Sequence, residues 1–262
     1  MIYIHSWSGG KDSTASIILD HIHGLPPSKI IMSEVMFDKR RGISGELPEH
    51  MDWVRGKAIP RFESWGYEVE ILHARKDYLD LFWHVVQNSK KPERNGKYAG
   101  WLIGGMCAAN SRLKTQPIKD YLKSIKDDYI QYNGIAIDEP ERLQRLDGTS
   151  RVSLLARYGY TEQMAYDLCR EYDLLSPIYQ FSRRGGCWFC PNQPYRELAR
   201  TKRKHPELWE ELRKLSRTKN LVSQCFKYSE TFAEVEARAD AVIERQKWEE
   251  MQISIFDDGG GR

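Results

Sequence analysis

The first half of the chain alternates between strand-like and helix-like spacings of its apolar residues. Residues 2–7 form a short apolar run typical of a strand, whereas Ala15, Ile18, Leu19 and Ile22 recur at the spacing of one helix face. In chain order, the pattern predicts strands over residues 2–7, 29–37 and 67–73 with a fourth within 128–137, and helices over residues 12–23, 47–65, 78–86 and 112–124. This order predicts an α/β fold with a mostly parallel sheet and helices on both faces.

The second half of the chain has a different pattern, in which helices predominate. Helices are predicted over residues 161–172, with Thr161 as N-cap, and over residues 206–215 and 231–248. A loop rich in Gly, Cys, Arg and aromatic residues is predicted over 181–194. We therefore expect an α/β domain over residues 1–147 and a helical, cysteine-containing region over residues 148–262 that packs on it.

Composition excludes several classes of protein but selects no partner. The 262 residues are 40% hydrophobic and 29% charged, which is typical of a globular protein, and the net charge is only +3. Residues 1–6 lack the basic and apolar regions of a signal peptide, and no apolar run approaches the ~20 residues that cross a bilayer. We expect a cytoplasmic protein with no membrane partner.

Residues 8–14, here called the phosphate loop, have the composition of an anion-binding segment. Gly9 and Gly10 allow the backbone to approach an anion closely, and the dipole of the helix that follows attracts it. Lys11 adds positive charge, and the hydroxyls of Ser8, Ser13 and Thr14 add donors. The alternative is a plain strand–turn–helix corner with a Ser or Asp cap. The Walker pattern of P-loop proteins is absent.

The segment S-G-G-K-D-S resembles the motif of the PP-loop superfamily, which includes N-type ATP pyrophosphatases, phosphoadenosine-phosphosulfate (PAPS) reductases and tRNA-thiolating enzymes. Residues 112–118 resemble the R-x-L-K-x-x-P-I segment of the PAPS reductase branch, and residues 134–139 resemble its G-x-R-x-D-E segment. The resemblance covers roughly residues 1–195. It implies a Rossmann-like sheet of about five strands with ATP and Mg²⁺ over its carboxyl edge.

The same resemblance implies a set of site residues. Lys11, Asp12 and Ser13 would be catalytic. The nucleotide would be bound by the phosphate loop (Ser8, Gly9, Gly10, Lys11, Asp12, Ser13, Thr14), by Asp38 at the end of the second strand, and by Arg112, Lys114, Gly134, Asp138 and Arg142. Two departures matter. Ala136 replaces the usual Arg, and the C-terminal E-C-G-x-H motif is missing, which argues against a PAPS reductase.

Five cysteines in a reducing compartment favour metal binding or catalysis over disulfides. Cys187 and Cys190 have a C-x-x-C spacing that can chelate one metal; a redox dithiol or two buried thiols are the alternatives. Cys107 and Cys169 are the predicted further ligands, with Cys225 in reserve. The arrangement resembles the phage and DNA-phosphorothioation branch of the family, which implies an iron–sulfur cluster. We expect 4Fe–4S, with Zn²⁺ as the alternative.

Together these features predict an enzyme that cleaves ATP to AMP and pyrophosphate and adenylates an acceptor, for sulfur transfer to, or modification of, a nucleic acid or nucleotide. A sulfur donor protein is an expected partner, and an oligomer is possible. The alternatives are a sulfonucleotide reductase and a non-catalytic nucleotide-binding module of a phage or DNA-modification system. His5 is expected to pack in the core, and Glu49 and His50 to begin a solvated helix.

Overall fold

The computed structural model describes residues 1–26, 28–103, 107–182 and 185–258, the last with side chains to residue 251. Its strands are β1 Ile2–Trp7, β2 Ser28–Glu34, β3 Met36–Asp38, β4 Ile43–Ser44, β5 Glu68–His73, β6 Tyr129–Asn133, β7 Arg151–Val152, β8 Cys225–Lys227 and β9 Glu230–Thr231. Its α-helices are α1 Lys11–Ile22, α2 Pro48–Trp53, α3 Ile59–Ser64, α4 Tyr78–Phe82, α5 Gln116–Ser124, α6 Pro140–Leu143, α7 Leu154–Arg157, α8 Glu162–Glu171, α9 Tyr195–Lys204, α10 Pro206–Ser216 and α11 Phe232–Asp258.

Five strands form one parallel sheet in the order β5-β2-β1-β6-β7, which confirms the predicted α/β fold and is consistent with a Rossmann-like sheet. β1 pairs with β2 on one side and β6 on the other. The topology therefore reverses direction at β1, and ligands of such sheets bind outside the carboxyl ends of the strands at this point. The phosphate loop follows β1 directly.

The predicted strand over residues 29–37 is divided in two, which corrects the position of Asp38. β2 ends at Glu34, and Asp38 ends the separate strand β3, which forms an antiparallel hairpin with β4. The turn between β3 and β4 is possible because Gly42 has a φ of 68°. Asp38 therefore lies in this hairpin and not at the end of a strand of the main sheet.

Both faces of the sheet are covered. On one face, α1, α7 and α8 pack with the helical segment of residues 48–64 around Trp7, Ile18 and Phe62. On the other, Leu122 of α5 packs on Ile4 and Ile31. A sheet buried on both faces explains the apolar run over residues 30–32 in the inner strand β2.

Two helices contain a π-helical turn shortly before a proline. Val54–Ala58 joins α2 to α3 before Pro60, and Asn110–Thr115 leads into α5 before Pro117. Proline has no N–H and its ring crowds the preceding turn, so a locally widened turn lets the helix continue. The predicted helices over residues 47–65 and 112–124 are thereby confirmed despite their prolines.

The chain divides into two compact units. The first comprises Met1–Tyr78 and Ala108–Cys187, and the second comprises Leu79–Cys107 and Trp188–Arg262. The expected boundary at residues 147/148 lies inside the first unit. The second unit has an aromatic core in which Trp101 contacts Phe226 and Phe232. None of the helices in the described ranges is long and apolar enough to cross a membrane.

Candidate functional site

The backbone of the phosphate loop is shaped by its glycines. Gly9 has a φ of 71°, and a Cβ added there would lie 2.4 Å from the imidazole of His50. Gly10 is the N-cap of α1 in an extended conformation, and it offers no side-chain cap. The amide groups of the first helical turn have no partners within the helix, and they carry its positive dipole end. The loop therefore places the backbone N–H groups of the first helical turn at the carboxyl edge of β1.

Two of the loop hydroxyls maintain its shape. Ser13 Oγ donates to the carbonyl of Gly10 at 3.0 Å and accepts from the N–H of Ser8 at 3.2 Å. Thr14 is buried, and its Oγ1 accepts from Trp7 Nε1 at 2.9 Å. Thr14 thus ties α1 to β1 within the core, which differs from its expected role as a donor to the nucleotide.

Lys11 lies in a small ion-pair network. Its Nζ donates to Asp12 Oδ1 at 2.7 Å and to Glu162 Oε2 at 2.9 Å. Burial lowers the pKa of Lys11, but these two carboxylates outweigh it and raise the pKa above its ordinary value. Burial raises the pKa of Asp12, although Lys11 opposes the change. The structure therefore holds a cation and a carboxylate together at the mouth of the loop.

Tyr179 occupies one of the loop donors. Its hydroxyl accepts a hydrogen bond of 2.8 Å from the backbone N–H of Lys11, the first residue of α1. The ring packs edge-on against Tyr166, and burial raises the pKa of Tyr179. The sequence contained no signal for this contact, because the two residues are 168 positions apart.

The end of β6 approaches the same helix terminus. A Cβ added to Gly134 would lie 2.4 Å from the backbone nitrogen of Ser13, so glycine is required there. Asp138 accepts from the N–H of Glu162, at 3.1 Å for Oδ1, and so caps the start of α8. Arg142 pairs with Glu139 on its own short helix. Gly134 therefore lies against the phosphate loop, whereas Asp138 and Arg142 make structural contacts near it.

The buried ring of His50 packs against Gly9 of the phosphate loop, which corrects the expectation that His50 begins a solvated helix. Its side chain is buried, its Nδ1 is 2.8 Å from Ser176 Oγ, and its ring is bonded to the backbone of Ser8. Burial lowers the pKa of His50, opposed by the charge of Glu46. The ring is therefore neutral at pH 7 and positions the Ser8–Gly9 backbone.

Lys114 and Arg112 lie on one π-helical turn but have different surroundings. Lys114 Nζ is 3.7 Å from Oε1 of the buried Glu46, whose charge raises the pKa of Lys114. Arg112 lines a cavity at the carboxyl end of β5.

Asp38 is buried and accepts from the N–H groups of Arg40 and Arg41, at 2.9 Å and 3.2 Å, which stabilises the hairpin turn.

Cys169 does not have the surroundings of a metal ligand. Its buried thiol donates to the carbonyl of Lys11 at 3.2 Å, and burial raises its pKa to about 12. A metal ligand is a thiolate, so a metal bound by Cys169 would have to displace both the thiol proton and its hydrogen bond to Lys11. Cys187 also belongs to the first unit, and Cys107 and Cys190 to the second. Across residues 1–26, 28–103, 107–182 and 185–258, no group of three or more His, Cys, Asp or Glu side chains is arranged to hold a metal.

No model of a known protein family matches the sequence, and no curated protein matches it. The geometry of the site therefore carries the functional argument. It brings the phosphate loop, Gly134, Lys11 and Asp12 together at the switch point of a parallel sheet. Backbone donors, a helix dipole and a lysine in this position can bind a polyphosphate.

Proposed function

We propose that this chain is an ATP pyrophosphatase of the PP-loop type that adenylates an acceptor. One observation carries the proposal: the N-terminus of α1, formed by Gly9 and Gly10 without a side-chain cap from its N-cap residue, lies at the carboxyl end of β1 with the backbone of Gly134 close against it. Bare backbone at a helix terminus suits an anion larger than a single carboxylate. The position at the switch point suits a nucleotide.

The network around Lys11 supports a role in neutralising polyphosphate charge. Lys11 is held between Asp12 and Glu162, and its raised pKa keeps it protonated. ATP binds to proteins as its Mg²⁺ complex, and a carboxylate such as that of Asp12 suits this ion as a ligand. Binding of magnesium-ATP would therefore exchange the Lys11–Asp12 pair for contacts of both residues with the substrate.

The proposed reaction is an in-line displacement at the α-phosphorus of ATP. An oxygen of the acceptor forms a bond to this phosphorus, and the bond to the bridging oxygen breaks. Pyrophosphate leaves with the electron pair, and the acceptor loses its proton to solvent. Lys11 and the loop amides stabilise the negative charge on the departing pyrophosphate, which lowers the barrier.

The acceptor is proposed to be a nucleic acid or nucleotide, from the resemblance of residues 8–13, 112–118 and 134–139 to the PAPS reductase-like branch of the PP-loop superfamily. A sulfur nucleophile from a donor protein would then attack the acceptor atom that bears the adenylated oxygen; the bond from that atom to the oxygen breaks, and AMP leaves with the oxygen and the electron pair. A cluster held by the cysteines is part of this proposal only through that resemblance, because Cys169 does not fit it. No step of the reaction requires it.

Pyrophosphate release from ATP tests the proposal. Asp12→Ala is expected to lower the rate at least about a hundredfold while the protein stays folded, because Asp12 would hold the Mg²⁺, and loss of a group that stabilises transition-state charge costs about 3 kcal/mol. Asp127→Ala is the matched control, since Asp127 is exposed and lies in the same unit.

Three results would contradict the assignment in different ways. If folded Asp12→Ala released pyrophosphate at the wild-type rate, the phosphate loop would have no role in the reaction. Thiol-dependent sulfite release from PAPS would favour the sulfonucleotide reductase. Binding of ATP without pyrophosphate release, in the presence of nucleic acid and a sulfur source, would favour the non-catalytic module.

A further inference from the structure

A second site lies along the same edge of the sheet as the phosphate loop. It is a cavity of about 640 Å³ at the carboxyl end of β5, formed entirely within the first unit. Its volume lies in the range of small-molecule sites, which is roughly 300–1,000 Å³. β5 is separated from β1 only by β2, so the two sites lie on the order of 10 Å apart along the edge.

The charge of the cavity is positive. Arg75, Lys76 and Arg112 line it, and none of their side chains forms an ion pair or hydrogen bond within the part of the chain that the structure describes. The single carboxylate of the lining, Asp120, already accepts from Gln116 Nε2 at 2.7 Å on its own helix. Three cations with one engaged acid leave an excess of positive charge that an anionic ligand would balance.

His73, the last residue of β5, also lines the cavity. His73 Nε2 is 3.0 Å from Oε2 of Glu34, which also accepts from Arg55 at 2.8 Å. Glu34 is buried at the end of β2, and its Oε2 is already paired with Arg55 as well as with His73.

The walls supply apolar surface beside this charge. Leu72, Pro117 and the ring of Tyr121 line the cavity. Lys29 lies over the Tyr121 ring, 5.4 Å from its centroid, and helps to hold its orientation. A ligand with a phosphate and a flat apolar part matches both surfaces, since the phosphate meets arginine and lysine and a base meets the aromatic wall.

We propose that this cavity binds the phosphate group and adjoining base of the acceptor nucleotide. This inference rests on the proposed function and names the place of its second substrate. ATP in the phosphate loop and the acceptor in the cavity are then held side by side at one edge of the first unit. Arg75 and Lys76 follow β5 and carry no motif, so only the cavity identifies them.

The test is direct binding with the phosphate loop filled by α,β-methylene-ATP. Two probes are titrated separately: a mononucleotide, AMP, by calorimetry, and a short fluorescein-labelled single-stranded oligonucleotide by anisotropy at low and high salt. The double variant Arg75→Ala, Lys76→Ala is expected to bind about tenfold or more weakly, because it loses two cationic side chains that would donate charge-assisted hydrogen bonds to the phosphate. Arg112→Ala is expected to show a similar loss and a shallower salt dependence.

The matched control is Lys123→Ala, Lys126→Ala, which removes the same charge from exposed positions of the same unit. It is expected to bind within about twofold of wild type, because exposed charges away from a site contribute little. Binding of AMP alone assigns the cavity to a free nucleotide, and binding of both probes assigns it to a nucleotide within a strand.

The inference is overturned if wild type binds neither probe, or if the Arg75, Lys76 variant binds as the control does. Either result leaves pyrophosphate release from ATP unaffected, so the proposed function is judged separately. The converse result is that the wild type releases no pyrophosphate while the Arg75, Lys76 variant still loses probe binding. That result would support the binding site in the cavity and contradict the proposed reaction.

Discussion

The hydroxyl of Tyr179 accepts a hydrogen bond from the backbone N–H of Lys11, 2.8 Å away, at the first residue of α1. A phosphate oxygen bound to this helix terminus would accept the same proton. The tyrosine would therefore compete with an anion bound at this position. Its edge-on partner Tyr166 belongs to α8, so the competitor is held by the helix that packs on α1.

Tyr179→Phe is expected to lower the thermal stability of the free protein and to strengthen pyrophosphate binding. The variant leaves the Lys11 N–H without its partner, which costs about 1–3 kcal/mol, and an anion recovers that amount on binding. Differential scanning and calorimetric titration with pyrophosphate measure the two effects. Tyr166→Phe is the control, and equal pyrophosphate affinities in both variants would disprove the competition.

Gly9 and His50 are expected to be coupled. A side chain at Gly9 meets both a φ of 71° and the His50 ring at 2.4 Å, so Gly9→Ala should weaken ATP binding strongly, to an affinity that is still measurable at high ATP concentration. Gly9→Ala with His50→Ala should recover part of it, because the ring is then absent. Gly42→Ala isolates the backbone effect, since Gly42 has a φ of 68° and open space around it. Simple additivity of the two losses in a double-mutant cycle would contradict the contact.

Gly134→Ala is expected to be severe for a different reason. The added Cβ would lie 2.4 Å from a backbone nitrogen of α1, which cannot rotate away as a side chain can. We expect a destabilisation of about 1–3 kcal/mol from the forced shift, together with weakened ATP binding. Gly56→Ala, in open space on a helical segment, should leave stability unchanged or slightly higher. Chemical denaturation and ATP titration of both variants provide the comparison.

The buried surroundings of His5 lead us to expect that the stability of the protein depends on pH. The His5 side chain is buried, with Nε2 2.7 Å from Oδ2 of Asp20, and burial lowers the pKa of His5 despite that carboxylate. The unfolded chain therefore binds more protons than the folded one as the pH falls below the ordinary histidine pKa of about 6.5. The contribution of this group to the free energy of unfolding is fully present above that pH. It is lost below that pH, by at most about 1.4 kcal/mol per pH unit. Urea denaturation between pH 7.5 and 5.5 should show a smaller slope for His5→Gln, and an unchanged slope would exclude His5 as the source.

The cysteines are expected to separate into two groups. Cys169→Ala should leave the metal content of anaerobically prepared protein unchanged, because its thiol is a protonated donor to Lys11. Cys187→Ser or Cys190→Ser should remove bound iron if the C-x-x-C segment holds a cluster. Metal analysis and ultraviolet–visible spectra measure both. Full iron in Cys187→Ser, or iron lost from Cys169→Ala, would reverse the grouping, and metal-free wild type would exclude the centre.

The periodicity of apolar residues was sufficient for most of the first unit. β1 and α1 lie within a residue of their predicted bounds, because a buried strand and an amphipathic helix each impose a regular spacing. Thr161 caps α8 as expected, through a hydrogen bond from the N–H of Met164 at 3.2 Å. His5 packs in the core as expected. In contrast, α9 was not predicted, because its ten residues are mostly charged and only a few of its positions are buried.

What the sequence determined by itself was therefore local: the strand–loop–helix corner at residues 2–22, the parallel α/β order, and a glycine-rich loop ready for an anion. The tertiary structure alone decided which distant groups surround that loop. Tyr179 on the Lys11 amide, His50 under Gly9 and Cys169 on the Lys11 carbonyl all join residues far apart in the chain. Such contacts leave no periodic signal, because a buried polar side chain is specified by its partner in space and not by its neighbours in sequence.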